Sequence, residues 1–280
     1  MSRTGWRARL GDLAAYLVLI AAILVALFPV FWTVSTSIKD RVTSFAIPPA
    51  FFDFVPVSKN YLTLFSSPAF QQVYLNTIVV TIGSTLLTVL AGSACAYALS
   101  RHARFTGRRP LEVSLILVRA IPTVVLMVPL FKIVVVLGLY DNLWFMMILY
   151  AAINLPFAVW LMTSFVDQIP RQLEESALVD GASRLVIVTR IVLPLAAPGM
   201  AATTVFVALL AWNEFLIPVM LAGEQAKTLP VYIAGFISAR NLDWGPMAAA
   251  SSLAIIPIAL LTVAIQRFLV SGLSSGAVKE

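Results

Sequence analysis

The chain has one cysteine, Cys95, and one histidine, His102. That scarcity excludes a disulfide framework within the chain and a metal site built from several Cys or His ligands. Charge is also scarce: Asp, Glu, Lys and Arg make up 11% of 280 residues, against about a quarter in soluble domains. No lysine follows a glycine, the lysines coming after Ile38, Ser58, Phe131, Ala226 and Val278. The Gly-Lys-Ser/Thr ending of a Walker phosphate loop is therefore missing, and no cofactor is expected on this chain. His102 sits in an Arg-rich loop at the end of an apolar run, and the acids do not cluster. An enzyme working inside the membrane has neither the histidine nor the carboxylates where it needs them.

Apolar residues fill 60% of the chain. They come in runs that cross a bilayer at roughly 20 residues each. The expectation is an all-α integral membrane protein with six transmembrane helices: Leu13–Ser35, Tyr74–Leu99, Val113–Leu137, Leu143–Val166, Leu195–Ala222 and Met247–Val270. The first run is too long for a signal-peptide core and reads as a retained span. Residues 1–73 form that span and an external loop, 74–270 the main transmembrane domain, and 271–280 a Gly/Ser-rich cytoplasmic tail.

The basic residues orient this topology. Arg3, Arg7, Arg9, Arg101, Arg104, Arg108, Arg109, Arg171, Arg184, Arg190, Arg267 and Lys279 fall on one side; Lys39, Arg41, Lys59, Lys227 and Arg240 fall on the other. Cytoplasmic loops carry the excess of Lys and Arg, so both termini are expected in the cytoplasm. The net charge of +6 thus reflects the membrane rather than nucleic acid.

Within the spans, Pro122, Pro129 and Pro156 each remove a backbone donor, leaving a carbonyl such as that of Ala152 to find another partner. Neighbouring helices or water must supply it. Arg119 and Lys132 have the reach to snorkel to headgroups. Glu214 is shorter and lies beside Trp212 and Asn213. It fits either the outer interface or the mouth of a polar path. Asn76, Asn154, Asn213 and Glu214 are the candidate residues of that path.

One charged island interrupts the apolar runs, from Ile169 to Pro198. Pro170 suits a helix start, Arg171 to Asp180 are mostly good helix formers, and Gly181 suits a left-handed closing residue. A second helix is expected over Ala182–Val192, with Pro194 and Pro198 beyond it. Glu175-Ser176-Ala177, Gly181 and Ile191-Val192-Leu193-Pro194 resemble the Glu-Ala-Ala coupling loop of bacterial ABC importer permeases, with Ser in place of the middle Ala. Asn60-Tyr61, Asn76-Thr77, Ala96-Tyr97-Ala98-Leu99, Pro156-Phe157, Trp212-Asn213-Glu214-Phe215 and the 272–279 tail look like the carbohydrate-type, maltose-like branch, specifically its shorter permease partner. Permeases for polyols or glycerol-phosphate compounds are similar.

The resemblance implies a type I ABC importer transmembrane-domain fold in the bacterial cytoplasmic membrane. It implies ATP and Mg on a separate ATPase present in two copies, a second homologous permease, and an extracytoplasmic sugar-binding protein facing the 223–246 loop. The coupling loop, 169–194, would dock on the ATPase through Glu174, Glu175, Ala177, Asp180, Gly181, Ala182, Ile191, Leu193 and Pro194. A gradient-driven secondary transporter is the rival, and it calls for intramembrane acids that are lacking outside Glu214.

Overall fold

The computed structural model describes residues 6–101, 108–237 and 243–276. Arg3, the Arg-rich turn with His102 and Arg104, residues 238–242 of the 223–246 loop and the last four residues of the tail lie outside those. Helix α1, Trp6–Ser37, is followed by two short helices, α2, Arg41–Ser44, and α3, Lys59–Phe65. Between them the stretch with Pro48, Pro49 and Pro56 is not helical, as their missing donors require. Then come α4, Pro68–Arg101; α5, Arg108–Ala120; α6, Thr123–Val136; and α7, Leu143–Val166. The charged island contributes α8, Arg171–Val179, and α9, Arg184–Ile187, then a π-helical turn, Val188–Val192, and α10, Leu193–Leu195. The chain ends with α11, Ala197–Trp212; α12, Leu216–Leu221; α13, Leu229–Ala234; and α14, Trp244–Gly276.

Among the described residues, four helices, in α1, α4, α7 and α14, are long and apolar enough to cross a membrane. Two bent pairs raise the number to as many as six: α5 with α6, turning by 87°, and residues 184–195 with α11, turning by 72°. Two expected spans are therefore broken rather than continuous. Pro122 stands directly before α6 in extended conformation, which breaks the expected third span, because a proline pushes its predecessor out of helical geometry. The expected fifth span breaks again at Asn213-Glu214-Phe215, between α11 and α12.

The second helix of the island starts at Arg184, not Ala182, because the Ser183 side chain accepts from Val186 N–H and caps it there. Its middle widens into the π turn, with Leu193 N–H reaching Val188 O. Pro194 follows at once; its ring would collide with the carbonyl of Arg190, four residues back, in a regular α-helix. A widened turn just ahead of such a proline removes that collision.

Contacts divide the chain into two units, residues 1–68 with 233–256, and 69–232 with 257–280. In the first, Asn60 Nδ2 donates to the carbonyls of Ser37 and Lys39, both at 2.9 Å, and the hydroxyls of Tyr61 and Ser37 meet at 2.7 Å. The Lys39 ammonium lies 4.3 Å from the Trp32 ring centre and 4.9 Å from that of Phe54. The end of α1 is thus tied to α3 by an amide and a hydroxyl, beside a cation seated on aromatic faces.

In the second unit α4 packs through a stripe of small and hydroxyl residues. Thr77, Thr81, Ser84, Thr85, Thr88, Gly92, Ser93, Ala96 and Ser100 are buried, recurring every three or four residues on one helical face. Leu75, Ile82, Leu86 and Leu90 are exposed on the other, where lipid suits them. A Cβ at Gly92 would stand 2.9 Å from Ala158 Cβ of α7. Only glycine permits this approach. Thr88 Oγ1 donates to Ser84 O within α4 and also lies 3.3 Å from Ala151 O of α7.

Candidate functional site

Helix α8 and its closing turn are the most explicitly built part of the charged island. Pro170 stands directly before it and Glu174 lies in its first turn, the place where a carboxylate is favoured by the helix dipole. At the other end Gly181 has φ +82°, the left-handed conformation expected from sequence. Its N–H donates to Leu178 O at 3.0 Å, and Ala182 N–H donates to Ala177 O at 2.9 Å. These two bonds make a Schellman closure, which satisfies the last carbonyls and turns the chain sharply.

The faces of this corner differ. Val179 and Leu185 are 88% and 73% exposed, and Leu173 and Leu178 are also exposed. Glu175, Asp180 and Gly181 are exposed with them, as is Pro194; Ala177, Ala182, Ile191 and Leu193 are half-buried. Exposed aliphatic side chains grouped on one corner are characteristic of surfaces that contact a protein, a membrane or a ligand. The inner side carries its own core, where Ile187, Val192 and Ala196 pack with Ala96, Met162, Val166 and Ile169.

Glu174 does not share the exposed face. Its side chain and that of Arg101 are each 10% exposed, and Arg101 Nε lies 2.5 Å from Glu174 Oε1. Tyr97 donates its hydroxyl to Glu174 Oε2 at 2.9 Å. Arg101 Nη2 donates to Ile169 O at 3.0 Å and Nη1 to Ser100 Oγ at 3.1 Å, while Ser100 Oγ donates to Asp167. Arg171 Nη2 returns a bond to Ser100 O at 2.7 Å. The C-terminal end of α4 and the start of α8 are therefore joined by a buried ion pair whose other donors and acceptors are also engaged. Such a pair is strong against removal of one partner, because the other charge is left buried and alone.

The sequence pointed to Glu174 but not to Tyr97, Ser100, Arg101 or Asp167 as its surroundings. Tyr97 and Arg101, four residues apart on one helix, offered the signal.

Each of the candidate path residues has a hydrogen-bond partner. Asn76 Nδ2 donates to the carbonyls of Gln225, at 2.6 Å, and Lys227, at 3.0 Å. Asn154 Nδ2 donates to Tyr150 O one turn back, and Asn213 Nδ2 to Leu209 O. Glu214 Oε1 accepts from Ile217 N–H at 3.2 Å, at the start of α12. A cavity of about 710 Å³ between α4, α11 and α14 is lined by Thr81, Thr85, Val89, Thr204, Trp212 and Leu261 among others, and by none of the four. The buried hydroxyls of Thr81 and Thr85 on its wall have no hydrogen-bond partner among the described residues. Arg119 sits over the Phe157 ring, 4.8 Å from its centre, so its charge faces an aromatic surface of α7.

The segment after α12 is held from two sides. Asp141, at φ +58°, accepts backbone N–H groups of Gly223, Gln225 and Ala226 at 2.7 to 3.0 Å. Burial alone would raise this carboxyl, but the N–H groups of Ala226, Gln225, Gly223 and Glu224 together outweigh it and hold it below the ordinary carboxylate value. Asn76 takes the carbonyls of the same segment, and Thr77 Oγ1 accepts Leu229 N–H at 2.8 Å. Sequence reasoning missed Asp141, which reads as one more charge in a short turn.

Residues 88–275 match the model of the family described as binding-protein-dependent transport system inner membrane component. The chain is 34% identical over 270 residues to the trehalose/maltose transport system permease protein MalG of Thermococcus litoralis, covering 94% of this chain and 96% of that one. It is 34% identical over 253 residues to the diacetylchitobiose uptake system permease protein DasC of Streptomyces coelicolor, covering 90% and 91%. Among solved structures it superposes, with TM-score 0.79 and 25% identity over 96% of its length and all of the other chain, on a bacterial ABC transporter involved in the import of the acidic polysaccharide alginate.

Proposed function

The chain belongs to the family of binding-protein-dependent transport system inner membrane components, and from that premise we propose that it is one permease subunit of an ATP-driven sugar importer. The solute is an oligosaccharide or disaccharide, the class to which the names of several relatives point. The chain works by alternating access, with both termini in the cytoplasm, beside a second homologous permease. Two copies of a separate ATPase bind ATP and Mg, and an extracytoplasmic binding protein delivers the sugar at the 223–246 loop.

The observation that carries this reading is the corner at Gly181. A left-handed glycine closes α8 and turns the chain into α9, while Leu173, Leu178, Val179 and Leu185 stay exposed. A short rigid helix with uncovered aliphatic side chains fits a groove on another subunit. ATP alters transport because the two bundle states bind the ATPase dimer differently, as any such coupling requires.

The test is a pull-down of the tagged chain from its native membrane in mild detergent, with mass spectrometry of its companions. A second permease and a P-loop ATPase are expected. A chain that runs alone even after crosslinking would refute the coupling role and favour a gradient-driven carrier.

A further inference from the structure

We infer that α4 is the rod that carries the stroke of the coupling helix across the membrane to the external loop, and that Arg101 and Asn76 are the positioning residues at its two ends. The inference rests on the proposed coupling role of α8 and adds the route by which its movement reaches the other face.

Three observations lead to it. First, α4 runs unbroken from Pro68 to Arg101 with proline only at its first position, whereas α1, α7 and α14 contain Pro29, Pro156 and Pro257. An interior proline removes a backbone hydrogen bond and bends a helix, so α4 lacks the proline break that the other long described helices carry. Second, its cytoplasmic end is fixed to α8 by the Arg101–Glu174 ion pair, the Tyr97 hydroxyl and the return bond from Arg171 to Ser100 O. Third, its outer end holds the loop after α12, through Asn76 to the carbonyls of Gln225 and Lys227 and through Thr77 to Leu229 N–H.

Asn76 and Arg101 are 25 residues apart in one helix, about 37 Å at the α-helical rise. A helix of that length, gripped at both ends by buried hydrogen bonds, moves its ends together. Displacement of α8 by the ATPase is therefore delivered to residues 225–229 without passing through a broken span. Both α5–α6 and the α9–α11 segment bend sharply and transmit such a push poorly.

The test uses the whole transporter purified with its ATPase, carrying Glu224→Cys as a reporter on the outer loop in a Cys95→Ser background. The readout is the rate of maleimide labelling in the nucleotide-free and ATP–vanadate-trapped states. Trapping is expected to change that rate several-fold in the parent. Arg101→Ala and, separately, Thr77→Val, which removes one outer bond with little change of shape, are expected to reduce the response while the ATPase remains bound. The double charge swap, Arg101→Glu with Glu174→Arg, is expected to restore it. A purely structural role for the pair predicts that Arg101→Ala loses assembly with the ATPase, not that an assembled complex loses its response.

An unchanged rate in the parent overturns the inference. So does a full response in both single variants, or a lost response that the swap does not restore. A complex purified without any ATPase removes the coupling role itself, a different result from an ATPase-bearing complex whose outer loop ignores the nucleotide.

Discussion

The two ends of α4 are both tied down, by different chemistry. At the Arg101 end the tie is a charged pair, Arg101 with Glu174, inside a set of bonds that includes Tyr97, Ser100 and Ile169. At the Asn76 end it is neutral: the Asn76 amide and the Thr77 hydroxyl hold backbone groups of the loop, whose other side is gripped by Asp141. A neutral hydrogen bond contributes about 0.5–1.5 kcal/mol, whereas breaking one side of a buried ion pair costs about 3–5 kcal/mol. The difference suits the proposed coupling, in which the Arg101 end would take the force of an ATPase and the Asn76 end would also have to release. It also orders the substitutions that break each tie.

Arg101→Ala is expected to have the largest effect, on the order of 3–5 kcal/mol of stability, because it strands the Glu174 carboxylate. Thermal unfolding of the detergent-purified chain measures it. Pairing Arg101→Ala with Glu174→Gln should recover part of the loss. A double variant no more stable than Arg101→Ala would show that the pair does not act as a unit.

At the Asn76 end Asp141→Asn is the matching substitution, expected to cost about 1–3 kcal/mol, since an amide replaces one accepting oxygen by a donor facing backbone N–H groups. The pH dependence follows from the same contacts. A carboxyl held below its ordinary value of 3.8 contributes stability that is fully present above that value and is lost as pH falls through the lower folded one. The loop should therefore stay ordered down to pH 4 and loosen only below it. Proteolysis between residues 222 and 229 by an acid protease, compared across pH in the parent and Asp141→Asn, reads this directly. Cleavage that rises already above pH 4 in the parent would contradict the sign.

Gly181→Ile sharpens the comparison differently, because it touches neither tie. No atom stands within 4 Å of a Cβ placed there, yet φ is +82°, where a side chain costs roughly 1–2 kcal/mol per residue. A β-branched residue should open the Schellman closure and re-aim the corner. Uptake is expected to fall at least as far as strain of that size would take it, roughly tenfold per 1.4 kcal/mol, with membrane insertion and both α4 ties intact. Normal uptake in this variant would remove the corner from the mechanism.

Much of the α8 end was readable from residues alone, and little of the Asn76 end was. Pro170, the run to Asp180 and Gly181 are local signals, and the structure places α8 and its left-handed close where they stand. Asp141 and Asn76 act on partners 82 and 149 residues away, and nothing adjacent to them announces such distant backbone groups. Broken spans fell between these cases. Pro122 was visible as an interruption, but whether the chain then kinks or turns by 87° depends on what packs around it. The π turn at Val188–Val192 was hidden because Pro194, its cause, follows the turn it widens.

Glu214 is where the smallest effect is expected and where the sequence left two readings open. Its Oε1 accepts Ile217 N–H at 3.2 Å, so it acts as a cap for α12, replacing a carbonyl acceptor that the break at Asn213-Glu214-Phe215 removes. A glutamine at this position keeps a carbonyl oxygen for the same bond, whereas alanine does not. Glu214→Ala is therefore expected to cost about 0.5–2 kcal/mol and to reduce uptake, and Glu214→Gln to preserve both within error. Thermal stability and solute uptake in the two variants separate geometry from charge. If Glu214→Gln keeps its stability but loses uptake, the negative charge itself serves the passage of solute, and the mouth-of-path reading displaces the cap.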